Sequence, residues 1–290
     1  MEGGKKTSEI IKMIFKKKPT GISTSSKITW CPGCFNNQIL AGVKKALQRK
    51  NLNEFALVTG IGCHGKMYDY LNINGINALH GRVLPTCLGI KIGNPNLNVL
   101  GFAGDGDAYA EGISHLIHVA RYNIDVKYFV HNNQVFALTV GQPTPTTEIG
   151  FKDKTNPLGV KIHPLNPLKL ALSSGATFVA RVFAYAKQIE WVTKEALKHK
   201  GFAFIEILQP CLIFHPDVGY KEKTYWLDEK GNDKASFDKA WKKAGEFDYN
   251  TVKKIPLGIF YQIEKETFVD KWPQLTALKK KNKSWKDISR

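Results

Sequence analysis

The chain has 290 residues, of which 43% are apolar and 23% charged; that is ordinary globular composition, enough for a full core, and it excludes disorder as the whole story, collagen-like periodicity and solenoid repeats. The 42 Lys and Arg exceed the 25 Asp and Glu by 17, but Lys5, Lys6, Lys12, Lys16, Lys17 and Lys18 crowd one end and Lys279, Lys280, Lys281, Lys283 and Lys286 the other, so they read as solvated basic tails ahead of a nucleic-acid surface, with an acidic protein partner as a third reading. No run approaches the roughly 18 apolar residues of a membrane helix, and MEGGKKTSEIIKMIFKKKPTG has no signal-peptide apolar segment, so a cytoplasmic protein without membrane or nucleic-acid partners is expected.

Taken in chain order, the first element after a basic extension over 1–27 is a helix predicted from Asn37 to Arg49. A short apolar run, Phe55 to Val58, follows and ends in Gly60, Gly62 and Gly65. Val99 to Phe102 is the next such run, closed by Gly104 and Gly106, and the pattern predicts a helix over Ala108 to Arg121. Val126 to His131 runs into Asn132 and Asn133. Gln142 to Pro167, rich in Pro and Thr, reads as a long loop covering the same edge. A helix over Gln188 to His199 and an apolar run from Phe202 to Leu208 precede a C-terminal extension over 218–290 with few clear periods. Continuous short apolar runs suit parallel strands buried on both faces. Their alternation with helices predicts an α/β fold with a mostly parallel sheet covered on both sides, and residues 28–217 form the expected domain. Ligands of such sheets sit beyond the carboxyl ends of the strands, where the glycine clusters fall.

Two constellations carry chemistry. Gly104-Asp105-Gly106-Asp107 lies between a strand and a helix, and Asn132-Asn133 ends the next strand. One βαβ unit brings them together: Asp105 offers an anionic oxygen, Asn133 an amide oxygen, and a nearby backbone carbonyl a third. Magnesium prefers such hard oxygens when a phosphate supplies the rest, and the helix start favours that phosphate. The second constellation is Cys31-Pro32-Gly33-Cys34 with Cys63 and Cys211. The CxxC pair alone reads as a thioredoxin-type redox motif; with two further thiols after predicted strands, ligation of an iron-sulfur cluster or a structural zinc becomes available. Spacing does not separate the two metals. Cys87, in LPTCLGI, reads as a small core residue. Glu111, His115 and His118 share a helical face, with packing or surface roles favoured over metal binding.

WCPGC, TGIGCHGK, HGRVLPTCLGIKIGNP, GFAGDGDAYAEG and HNNQVFALTVGQPTPTT resemble, in order and spacing, the β subunits of 2-oxoacid:ferredoxin oxidoreductases, the pyruvate:ferredoxin oxidoreductase family. The likeness covers residues 28 to 150, resumes at QPC, and is poor at both ends. It implies a diphosphate-binding thiamine diphosphate fold, a four-iron four-sulfur cluster on Cys31, Cys34, Cys63 and Cys211, and magnesium on Asp105, Asn133 and the Val135 carbonyl. The diphosphate would lie against Ile61, Gly62, Cys63 and His64, against His80, Gly81 and Arg82, against Gly106 and Asp107, and against the Ala137 and Leu138 backbone. Lys66 matches a position facing the substrate carboxylate, with a surface lysine as its equal alternative.

The resemblance further implies CoA-dependent oxidative decarboxylation of a 2-oxoacid, electrons leaving through the cluster to ferredoxin. It also implies a separate α subunit, which holds the pyrimidine-side and γ-type domains. Four departures stand out: Val140 where a lysine or glycine is common, Leu212 in place of a proline, His64 in place of a serine, and Cys87 in place of an alanine. They leave the cluster and magnesium assignments intact and bear on substrate range and the coenzyme A step. The rivals are a thioredoxin-like protein using Cys31 and Cys34, and a zinc-stabilised basic nucleic-acid binder.

Overall fold

The computed structural model describes residues 21–216, 220–227, 231–250 and 254–287. Most of the basic extension over 1–27, and the boundary placed between 217 and 218, lie outside the described residues. In chain order the elements are α1 (Asn36–Leu47), β1 (Phe55–Thr59), α2 (Met67–Tyr70), β2 (Gly75–Asn77), α3 (Val83–Gly93) and β3 (Asn98–Gly104). A π-helical turn (Asp107–Glu111) leads into α4 (Ile113–Tyr122), β4 (Val126–Asn132) and a small ribbon of β5 (Val135–Phe136) and β6 (Gln142–Pro143). Then come α5 (Pro167–Ser173), β7 (Phe178–Phe183), α6 (Ala186–Lys198), β8 (Ala203–Leu208), β9 (Thr224–Trp226), α7 (Phe237–Ala244), β10 (Ile255–Gln262), α8 (Phe268–Lys271) and α9 (Pro273–Lys280).

Eight strands form one sheet in the order β2-β1-β3-β4-β8-β7-β10-β9. Neighbours from β2 through β7 run parallel, and β10 runs antiparallel to β7. Strands that read as unbroken apolar runs do so because both faces are covered. Ala56, Val58, Val99, Val126, Tyr128 and Val130 face α3, α4, α5 and α7, whereas Phe55, Leu57, Leu100, Phe102 and Phe129 face α1, α2 and α6. Side chains alternate across the sheet with a period of two, and each large one fully buried contributes about 1.5–3 kcal/mol. Gly101 is where α3 presses hardest: a β-carbon there would lie 3.0 Å from Val83 and 3.1 Å from the buried thiol of Cys87, the core role expected of that cysteine.

The helix expected over 108 to 121 is two elements, because the first turn opens to π geometry and Gly112 separates it from α4. Among the described residues no three His, Cys, Asp or Glu side chains gather closely enough to hold one metal ion. Beyond 220 the chain contributes β9 and β10 to the same sheet, two strands that periodicity does not predict. No described helix is long and apolar enough to cross a membrane.

Candidate active site

The strand order reverses between β1 and β3, and loops leaving the carboxyl ends of adjacent parallel strands part at such a point. A cleft of about 520 Å³ opens there, lined among others by Ile61, Gly62, Cys63, His64, His80, Asp105, Gly106, Asp107, Asn133, Val135, Ala137 and Leu138. Of the residues expected beside a diphosphate, Gly81 and Arg82 stand behind this lining. Arg82 is exposed and its Nη1 donates to the Glu111 carbonyl at 3.3 Å.

Asp107 holds three loops together. Its Oδ1 accepts from Gly81 N at 2.5 Å and lies 3.6 Å from His80 Nδ1, and its Oδ2 lies 3.2 Å from His64 Nε2. Gly60 is glycine because a β-carbon would fall 1.8 Å from that carboxylate, and Gly106 because one would fall 2.1 Å from the Phe136 ring. The Asp107 side chain is thereby committed to holding His64 and the 80–81 turn, and what it offers the cleft is backbone.

Asp105 is 2% exposed, and burial pushes its carboxyl up to about 6 against the pull of its hydrogen bonds. Thr144 Oγ1 donates to Oδ2 at 2.5 Å, and the Asn133 N–H also reaches the carboxylate. Thr146 Oγ1 stands between Asp105 Oδ2 at 3.1 Å and Asn132 Oδ1 at 2.9 Å, with one proton for the two. Val135 N donates to Asn133 Oδ1 at 3.1 Å, so the amide oxygen, the Asp105 carboxylate and the Val135 backbone share one wall. A buried carboxylate beside an amide oxygen and a backbone carbonyl is a set of hard oxygens of the kind divalent cations accept beside a phosphate.

The thiols of Cys31, Cys34, Cys63 and Cys211 come from the turn before α1, the loop after β1 and the loop after β8. The Cys31–Cys34 turn closes through Cys34 N donating to Cys31 O at 3.1 Å, with Gly33 at φ 75°. Burial first, then charge on Cys34, Cys211 and Cys31, pushes the Cys63 thiol up to about 11; only Lys66 among these pulls it down. Burial and the charges of Cys31 and Cys211 likewise raise Cys34. Cys31, Cys34 and Cys211 therefore lie within electrostatic reach of Cys63, while Cys87 stands apart in the core. Lys66 is outside the cleft lining, its Nζ donating to Thr29 O at 3.1 Å.

The cleft is also lined by residues to which the motifs assigned no role. Asn36 Oδ1 lies 2.8 Å from His131 Nδ1, Gln209 is the polar side chain that reaches the other side of the His131 ring, and all three residues line the cleft. Burial, then the charge of His64, holds the His131 imidazole well below its usual range. Each sits within two residues of a motif member: Asn36 follows Cys34, His131 precedes Asn132 and Gln209 precedes Cys211. Adjacency was the available signal.

Residues 60–207 match the model of the thiamine pyrophosphate enzyme C-terminal TPP-binding domain, and residues 219–277 match that of the C-terminal region of the pyruvate ferredoxin oxidoreductase β subunit. A 2-oxoacid:ferredoxin oxidoreductase subunit β of Saccharolobus solfataricus is 41% identical over 253 residues, 81% of this chain and 82% of the relative. The 2-oxoglutarate synthase subunit KorB of Archaeoglobus fulgidus is 42% identical over 186 residues, 63% of this chain and 69% of the relative. Among solved structures, a 2-oxoglutarate:ferredoxin oxidoreductase from Magnetococcus marinus with 2-oxoglutarate, coenzyme A and succinyl-CoA bound superposes with a TM-score of 0.83 at 31% identity, covering 92% of this chain and 91% of that one.

Proposed function

From the premise that the chain belongs to the β-subunit family of 2-oxoacid:ferredoxin oxidoreductases, we propose that it binds the diphosphate end of thiamine diphosphate through magnesium and carries a four-iron four-sulfur cluster. In the assembled enzyme it would serve CoA-dependent oxidative decarboxylation of a 2-oxoacid, with ferredoxin as acceptor. The observation that supports this reading is that Cys63 lines the same cleft as Asp105, Asn133 and Val135, while Cys31, Cys34 and Cys211 stand close enough to raise its thiol pKa. Family membership replaces the thioredoxin-like and nucleic-acid-binding alternatives.

Bound in this cleft, thiamine diphosphate supplies an electron sink for decarboxylation, and an iron-sulfur cluster takes up electrons singly. The remaining work belongs to the chain. Asp105 contributes the negative charge that a divalent cation needs, Asn133 Oδ1 and the Val135 carbonyl complete the protein's share of ligands, and the Gly62–His64 and Gly106–Asp107 backbone faces the phosphates. Ala137 and Leu138 close the opposite wall. Four thiolates drawn from three loops suit a four-iron four-sulfur cluster. Lys66 places a cation beside Cys63 and, released from Thr29, is the residue assigned to the carboxylate of the 2-oxoacid.

Among the described residues of this cleft lining, none supplies a carboxylate for the pyrimidine end of the cofactor: Asp105 faces the magnesium wall and Asp107 is tied to His64 and Gly81. An α subunit fits that gap. Ile61 and Leu138, exposed at the cleft, and Leu79 and Val140 beside it leave apolar surface at the mouth, the mark of a face meant to be covered. Residues 28–217 would act as the cofactor-binding unit, and 218–290 as the extension whose strands complete its sheet. Anaerobic purification with iron, sulfide and zinc analysis tests the reading: about four iron and four sulfide per chain are expected, and zinc without sulfide would overturn it.

A further inference from the structure

The loop after β8 folds back on Cys211. Phe214 N donates to Cys211 Sγ at 3.5 Å, and His215 N donates to Cys211 O at 3.0 Å. His215 is 4% exposed, its ring 5.0 Å from that of Phe151, and its Nε2 lies 3.0 Å from both carboxylate oxygens of Glu148. Glu148 in turn accepts from Gln134 Nε2 at 3.0 Å, which also donates to Thr146 O at 2.9 Å. Thr146 is the residue whose hydroxyl stands 3.1 Å from Asp105. An unbroken line of contacts thus runs from a cysteine sulfur to the carboxylate of the magnesium wall, and Glu148 and His215 are its crossing from one loop to the other.

We propose that the Glu148–His215 pair is a positioning clamp: it holds the Cys211 turn so that the Phe214 N–H stays on the Cys211 sulfur, and thereby raises the reduction potential of the cluster. This rests on Cys211 being a cluster ligand. Hydrogen bonds to cluster sulfurs favour the more electron-rich reduced state, so losing one moves the potential down. Removing a carboxylate charge near a cluster does the opposite on Coulombic grounds alone. The two effects therefore have opposite signs and can be separated by comparing two substitutions that remove the same charge.

The measurement is a redox titration of the assembled enzyme, followed by the electron paramagnetic resonance signal of the reduced cluster, with iron and sulfide counted in each preparation. Glu148→Gln keeps an oxygen for His215 and an amide beside Gln134; Glu148→Ala keeps neither. The Ala variant is expected to lie below the Gln variant by about a tenfold shift in the one-electron equilibrium, about 59 mV. Equal midpoints in the two variants, each with full iron content, overturn the clamp while leaving the cluster assignment standing. Wild-type enzyme without iron and sulfide overturns both. Should Glu148→Ala fail to assemble, His215→Phe keeps the ring against Phe151 and the Glu148 charge while removing the contact; its midpoint should fall below wild type, and an unmoved one counts against the clamp.

Discussion

The two edges of the central sheet treat polar groups in opposite ways. At the amino ends of β3, β4 and β8, every donor of Lys127 Nζ is matched: Asp125 Oδ1 at 2.6 Å, His199 O at 2.6 Å and Gly201 O at 3.0 Å. Lys91 Nζ closes the other side of Asp125 at 3.0 Å and also reaches Leu97 O. Burial alone would raise the Asp125 pKa, yet the Lys127 and Lys91 ammonium groups hold it well below the usual carboxylate range. At the carboxyl ends three groups lack such short contacts: among the described residues His131 Nε2 and Gln209 Oε1 are buried with only each other in reach, and His80 Nδ1, after β2, comes no closer than 3.6 Å to Asp107. An unmet buried polar atom costs about 1–3 kcal/mol. One edge is built to be finished by folding and the other by what binds.

The most drastic way to break that contrast is at the open edge. Asp105→Ala removes the one carboxylate of the proposed magnesium site, and magnesium-dependent thiamine diphosphate affinity of the assembled enzyme, measured calorimetrically, should fall by more than about 100-fold, with iron content retained. At the closed edge the loss should appear as stability. Lys127→Met leaves the half-buried Asp125 with Lys91 as its remaining ammonium partner, and denaturant unfolding should report a loss of about 1–3 kcal/mol with cysteine-bound iron per folded chain unchanged.

Acid sharpens the comparison further. His199 is pushed down to about 4 by burial first and the Lys127 charge second, and Thr177 Oγ1 lies 2.8 Å from its Nε2. Unfolded, the imidazole takes up a proton near pH 6.5, whereas in the folded chain it stays neutral until about pH 4. The unfolded state thus binds more protons in that window, and stability should decline as pH falls through it, by about 1.4 kcal/mol for each unit separating the two pKa values. His199→Gln should flatten that part of the stability-pH curve; an unchanged slope would remove His199 as the cause. The smallest effect is expected at Trp30, whose Nε1 donates to Cys63 O at 2.7 Å. Trp30→Phe should cost about 1 kcal/mol and quicken loss of iron to a chelator.

Much of this edge was legible because each loop follows a strand made of uninterrupted apolar residues. The parallel α/β class follows from Phe55–Val58, Val99–Phe102, Val126–His131 and Phe202–Leu208; Asp105, Cys31, Cys34, Cys63 and Cys211 are marked by glycine or proline neighbours, and Asn133 by its place at the end of a strand. What escaped had conflicting signals. The residues of β7, FVARVF, carry an arginine at the centre of the strand, and Arg181 is admitted there by Glu206 at 2.7 Å and by the rings of Phe247 and Phe260. In β10, IPLGIFYQ contains Pro256 and Gly258, and its register shifts between Ile259 and Tyr261. For α3, VLPTCLGIKIG is apolar almost throughout, so no helical period shows. In each case the deciding partner lies far away in sequence, beyond what a local pattern reports.

That placement of β10 has a consequence for how the protein is made. Its neighbours in the sheet are β7, completed long before it, and β9. Until the ribosome has released the segment around Ile255–Gln262, the outer edge of β7 presents unpaired backbone beside an apolar face, the condition under which nascent sheets join one another instead of themselves. A chain stopped at residue 250 should collect in aggregates even though every cofactor-binding loop is already present, and supplying the last forty residues in trans would have to compete with that association. A strand remote from the chemistry thus decides whether the chemistry is ever assembled.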